Sequence, residues 1–141
     1  MPLRLIAGYG FMEHGYAKLV RGPEHFIAIL HALGVPAPAL MAWVTIGSEL
    51  ICGLMVLAGL LIPLASIPMV VTLLVAILTV HVPNGFSSIK LQSVDAMGAH
   101  FGQPGYETDL LYLACLATLV LGGSGSLALD RLIFRARHGA T

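Results

Sequence analysis

Apolar residues fall into three long runs, at positions 39–61, 64–82 and 106–122, and a shorter, more interrupted one at 3–19. A helix that crosses a bilayer needs about 20 mostly apolar residues, so each run is a candidate span. The run at 3–19 carries Glu13, His14 and Lys18 in its second half, which makes it the most polar of the four. Val20-Arg21-Gly22-Pro23 stops it. Residues 23–33 then set Phe26, Ile27, Ile29, Leu30 and Leu33 against Glu24, His25 and His31. That pattern predicts a short amphipathic helix lying in the membrane interface. Gly34-Val35-Pro36-Ala37-Pro38 turns the chain into the second span. The Ile62-Pro63 link is short and uncharged, so the third span returns antiparallel beside the second. Residues 86–105 are the only long polar segment, with Lys90, Gln92, Asp95, His100 and Gln103 among glycines and a proline, and read as a loop. The pattern predicts an all-α fold: one domain over 1–141, an integral membrane antiparallel four-helix bundle with an interfacial helix between spans 1 and 2.

Composition supports this reading. Hydrophobic residues make up 57% of the chain and charged residues 10%, against about 25% charged in soluble domains. Net charge is zero, and no basic surface points to nucleic acid. Cys52 and Cys115 sit in apolar runs, unlike a secreted disulfide framework. The first run lacks a clean apolar centre and a cleavage site, so it is not read as a signal peptide. Four spans put both termini on one side, with Arg4, Arg131, Arg135 and Arg137; Lys18, Arg21 and Lys90 lie on the other. The positive-inside rule then predicts cytoplasmic termini and an external long loop.

That topology gives the ionisable residues a common location. Glu49 lies 11 residues past Pro38, roughly 16 Å down a helix. A carboxylate there does not face lipid without heavy cost. His14 and Lys18 share a face of span 1, His81 ends span 3, and Glu107 starts span 4. All five converge on the outer half of the bundle. Glu49 is a proton carrier or a ligand partner; the structural alternative is a locking pair with Lys18, Arg4 or a histidine. His14 and Lys18 suit an anion or a carbonyl oxygen, although Lys18 alone can snorkel. His81 suits a proton relay, or is an interfacial cap. Glu107 faces the same choice, because an acid in a first turn also complements the helix dipole. The ligand types would suit a transition metal, but their spacing matches no metal motif, and no metal is assigned. Trp43, Tyr9, Tyr16 and Tyr106 read as interface anchors. Gly47, Gly53 and Gly59 would let helices approach closely.

Several motifs follow in an order that resembles the DoxX family of small membrane proteins. They are His14-Gly15-Tyr16-Ala17-Lys18-Leu19, Leu33-Gly34-Val35-Pro36-Ala37-Pro38, Glu49 with Gly53 and Gly59, His81 with Pro83-Asn84-Gly85-Phe86, and Gly105-Tyr106-Glu107. The ending Gly123-Ser124-Gly125 with Leu129-Asp130 is similar too, but Ser124 stands for a proline and Ala128 for a serine. Cys52 stands where a glycine is common. The resemblance implies a four-helix protein of a bacterial-type inner membrane, associated with oxidoreductase systems. Its expected role is an accessory or small subunit with a polar pocket for a quinone-like molecule. Glu49 and His81 would handle protons, and His14, Lys18 and Glu107 would bind the ligand. No cofactor is assigned: quinone is allowed, and ranks ahead of haem or metal. Other oxidoreductase subunits and further copies of the chain are the partners it allows. A small-solute transport module and a purely structural subunit are the alternatives.

Overall fold

A computed structural model describes residues 1–123, 125 and 128–130. Ser124 and the tail charges Arg131, Arg135, Arg137 and His138 lie outside the described residues. The chain forms helices α1 (Pro2–Val20), α2 (Pro23–Ala32), α3 (Pro38–Ala58), α4 (Ile62–Ala76) and α5 (Glu107–Gly122), and strands β1 (Leu91–Asp95) and β2 (Gly98–Phe101). Proline occupies the first turn of α1 to α4, where its fixed φ suits a helix and its missing N–H costs nothing. The rod of α4 continues through a π-helical turn, Ile77–His81, and a 3-10 turn, Val82–Asn84.

Two helices, Pro38–Ala58 and Ile62–Asn84, are long and apolar enough to cross a membrane. The turn between them is not the expected Ile62-Pro63. Gly59, at φ +74°, caps α3 in the left-handed region, and Ile62 already begins α4. The Leu61 N–H donates to Asp130 Oδ2 at 2.8 Å, which pins this turn.

α1 lies antiparallel on α3 with backbones nearly touching. A Cβ on Gly8 would stand 2.7 Å from the Gly53 carbonyl oxygen, and one on Gly53 2.9 Å from that of Gly8. One helical repeat on, Gly15 lies against Glu49 and Leu50. Of the glycines expected to admit close packing, Gly53 does so, Gly59 is a cap, and Gly47 faces open space. α1 also packs on α5, and α4 on both α3 and α5. Ala7, Phe11, Val56, Met69, Leu73 and Leu116 form the centre of the one core these four helices share. Outward faces carry large apolar residues on every one of them, such as Leu5, Ile51, Leu64, Leu78, Leu111 and Leu121. A helix that is apolar on its outside as well as its inside is either buried in a larger core or set in lipid.

The polar segment departs from the all-α expectation. Its middle folds into an antiparallel hairpin with Ser93↔His100, Val94↔Ala99 and Asp95↔Gly98 paired. Asp95 holds the turn: Oδ1 accepts the Met97 N–H at 2.8 Å, and Oδ2 pairs with His100 Nε2 at 2.9 Å. Gly98 takes φ +120°, which no side-chain-bearing residue adopts comfortably.

Two predictions follow from these contacts. Gly8→Ala pushes a methyl into backbone that has no rotamer to yield, so it destabilises by about 1–3 kcal/mol. Gly47→Ala is neutral or stabilising by up to about 1 kcal/mol, the usual gain for alanine inside a helix. Unfolding of both variants in detergent measures the contrast. In the hairpin, the His100 ring and then the Met97 N–H hold the Asp95 carboxyl below the ordinary aspartate range. A depressed folded-state value stabilises the turn above about pH 4 and is lost as pH falls through that value. An NMR titration of Asp95 places its midpoint below that of a free aspartate, and His100→Ala moves it back up.

Candidate functional site

The half of the molecule nearest α2 and the hairpin opens into a cavity of about 810 Å³. All five helices contribute to its wall. α1 supplies Phe11, His14 and Lys18, and α3 supplies Thr45, Ser48 and Glu49. α4 and its π turn supply Thr72 and His81, and α5 supplies Asp109 and Tyr112. Most of the remaining lining is aliphatic, with one face of α2 closing the side.

The antiparallel α1–α3 crossing decides what meets what. At one end it brings Arg4 to the last turn of α3, where its guanidinium donates to the carbonyls of Val56 at 3.2 Å and Leu57 at 2.8 Å. A cation there complements the negative helix end. At the other end it brings Lys18 to Glu49. The Lys18 ammonium donates to Oε1 at 2.7 Å and Oε2 at 2.6 Å. It also lies 5.0 Å from the centre of the Phe26 ring of α2. Glu49 is 4% exposed. Among the partners the sequence allowed for Glu49, the structure selects Lys18; Arg4 is committed to the opposite end of α3.

A second pair closes the far wall. His81 Nδ1 meets Asp109 Oδ2 at 2.5 Å. The π turn at Ile77–His81 inserts extra backbone just where the imidazole must be aimed, a placement common at functional sites. Asp109 occupies Nδ1, which leaves Nε2 as the nitrogen available to a ligand. His14 stands between the two pairs, in electrostatic reach of Lys18 on one side and of Asp109 and His81 on the other. Its ring meets Tyr112 edge-on, centroids 6.3 Å apart. Tyr112 also packs edge-on against Phe11 at 5.4 Å, and its hydroxyl fills the space beside Gly10. Among the described residues His14 has no hydrogen-bond partner, unlike Lys18, Glu49, His81 and Asp109.

His14, Lys18, Glu49 and His81 therefore line one cavity, while Glu107 does not. The Glu107 carboxylate accepts the Ser88 N–H at 3.0 Å and ties the base of the hairpin to α5. Asp109, two residues on, takes the inward place. Two residues turn a helix by roughly 200° at about 3.6 residues per turn, so only one of the two acids can face the cavity. The signal was present in the sequence: Asp109, Tyr112, Leu116 and Leu119 make one helical stripe, and Glu107 lies off it. Phe26 was read only as part of the apolar face of α2. Cys52 and Cys115 pack against the apolar core, away from these pairs. His25, His31 and His100 are exposed.

The comparisons with known proteins agree with this architecture. The DoxX family model matches residues 1–82, a stretch that contains His14, Lys18, Glu49 and His81. A Bacillus subtilis protein named "Putative oxidoreductase CatD" is 33% identical over 96% of this chain and 87% of its own length. "Uncharacterized membrane protein Rv3486" of Mycobacterium tuberculosis is 30% identical over 92% of this chain and 77% of its own. An uncharacterized Haemophilus influenzae protein is 28% identical over 93% of this chain and 80% of its own. No solved structure matches. With a family match over more than half its length, and relatives aligned along nearly all of it, the chain belongs to the DoxX family of membrane proteins.

Proposed function

We propose that this chain is a four-pass protein of a bacterial-type cell membrane, with its termini in the cytoplasm, that serves as a small subunit of a membrane oxidoreductase and holds a quinone-like molecule in its cavity. The lipid-facing apolar residues of α1 and α5, and not only those of α3 and α4, support four passes. The oxidoreductase name of the Bacillus subtilis relative supports the redox setting. One observation carries the ligand assignment: a solvent-exposed histidine, without a hydrogen-bond partner among the described residues, stands at a largely apolar cavity between the Lys18–Glu49 ion pair and the His81–Asp109 pair. Small-molecule pockets have this character, typically about 300–1,000 Å³ of apolar wall with a few placed polar groups.

In this reading His14 hydrogen-bonds a ring oxygen of the ligand. Lys18 and Glu49 hold a charge pair beside it, and Glu49 keeps an exchangeable proton site at membrane depth. His81 offers Nε2 to the ligand's far side, with Asp109 fixing its orientation. A bound quinone would supply two-electron, two-proton chemistry, with electrons drawn from a partner subunit, and Glu49 and His81 would hold and pass the protons.

The test is binding. Protein purified in native lipid carries quinone detectable by mass spectrometry, and a short-chain quinone quenches Trp43 fluorescence on titration. His14→Ala raises the Kd about tenfold, the equivalent of roughly 1.4 kcal/mol for one lost hydrogen bond. Absence of co-purified quinone, together with an unchanged Kd in His14→Ala and no quinone-dependent change in Glu49→Gln, would sink the reading.

A structural role has its own support, because the described buried side-chain polar atoms all have partners. Lys18→Met leaves Glu49 buried without its cation and destabilises by about 3–5 kcal/mol. The double variant Lys18→Met/Glu49→Met removes both charges and regains most of that stability. If the double variant also binds quinone as wild type does, the pair holds helices together and does not serve the ligand.

A further inference from the structure

We propose that the hairpin of β1 and β2 is a membrane-surface anchor, with one face seated in the lipid boundary next to the cavity mouth. The sequence hides this face. In Leu91-Gln92-Ser93-Val94-Asp95, Leu91 and Val94 are three apart, and simple alternation would send them to opposite sides of a strand. The register is not simple. Leu91 pairs with Phe101 and Ser93 with the adjacent His100, so Gln92 is an extra residue, a bulge. A bulge shifts the alternation by one. Leu91, Val94, Ala99 and Phe101 thereby come to one face, and Ser93, Asp95 and His100 to the other, where the Asp95–His100 pair confirms their common side. The local fold has converted an unremarkable polar segment into a two-sided sheet.

The apolar face is bare. Leu91 is 59% exposed, Val94 69%, Phe101 60%, and Met97 at the tip 90%. An isolated two-stranded hairpin is marginal in water and needs something against its apolar face. The bilayer is the occupant that the rest of the molecule provides. Leu78, Val82, Phe86 and Ile89 are all exposed and continue the lipid-facing surface of α4 up to the root of β1. The roots are short and tied down. Gly105 N–H donates to the Ser87 carbonyl at 2.9 Å, and Glu107 N–H to the Phe86 carbonyl at 2.9 Å. Ser88 is held by Glu107, Gly105 and Thr108. The hairpin therefore cannot swing far from the level at which α4 ends and α5 begins. Its uncharged face meets lipid, its Asp95–His100 face meets water, and Lys90 at the root suits anionic headgroups.

Tryptophan scanning in lipid nanodiscs tests this, with Trp43→Phe as the background. Val94→Trp, Met97→Trp and Ser93→Trp all sit at exposed positions, so none disturbs the core. Dibromo-lipid quenches Val94→Trp and Met97→Trp severalfold more strongly than Ser93→Trp, and aqueous iodide does the reverse. Equal iodide quenching at all three positions would mean that the hairpin stands in water and overturns the proposal. Shielding of Val94→Trp from both quenchers would mean that protein, a second copy or another chain, covers the face, and overturns it too.

Discussion

Everything at the site depends on the backbone contact between Gly8 and Gly53. Two helices with a side chain at either position would stand farther apart, since each Cβ would fall within 3 Å of the opposite carbonyl. Close contact of small residues is how helices associate where no hydrophobic force drives them together. Here it also sets a register. With α1 fixed antiparallel on α3 at that point, Arg4 reaches the carbonyl end of α3 and Lys18 reaches Glu49. Neither cation could be exchanged for the other, because each is matched to what lies at its own end of α3. The acid at mid-helix is tolerable only because the glycine contact delivers its cation.

The same register divides the molecule along its length. Toward the α3–α4 turn the four helices close on a dry core of Ala7, Val56, Met69 and Leu116. Toward the hairpin they part, and the space is left to His14, the Lys18–Glu49 and His81–Asp109 pairs and aliphatic wall. Substitutions at the packed end loosen helices, whereas those at the open end also change what the cavity offers. The π turn belongs to this division: α4 is regular where it packs and irregular where it must aim His81.

Much of this was legible in the sequence, and the reasons differ by residue. Glu49, His14, Lys18 and His81 stand out because an ionisable group in an apolar run has few tolerable surroundings, and helical direction alone brings such groups to one end. The helix limits were legible through their prolines and glycines. Asp109 was hidden by its neighbour. Both acids sit in the first turn of α5, and only the phase of the buried stripe through Leu116 and Leu119 tells which one turns inward. The hairpin was hidden by the Gln92 bulge, since alternation fails at the point where the strand needs it.

Phase also explains why Glu107 and Asp109 hold such different positions while only two residues apart. Glu107 faces outward and fixes Ser88 at the foot of the hairpin. Asp109 faces inward and fixes the His81 ring at the cavity wall. One turn of α5 thus holds both the hairpin and the inner imidazole. A tilt of that turn would move the foot of the hairpin and the His81 ring together.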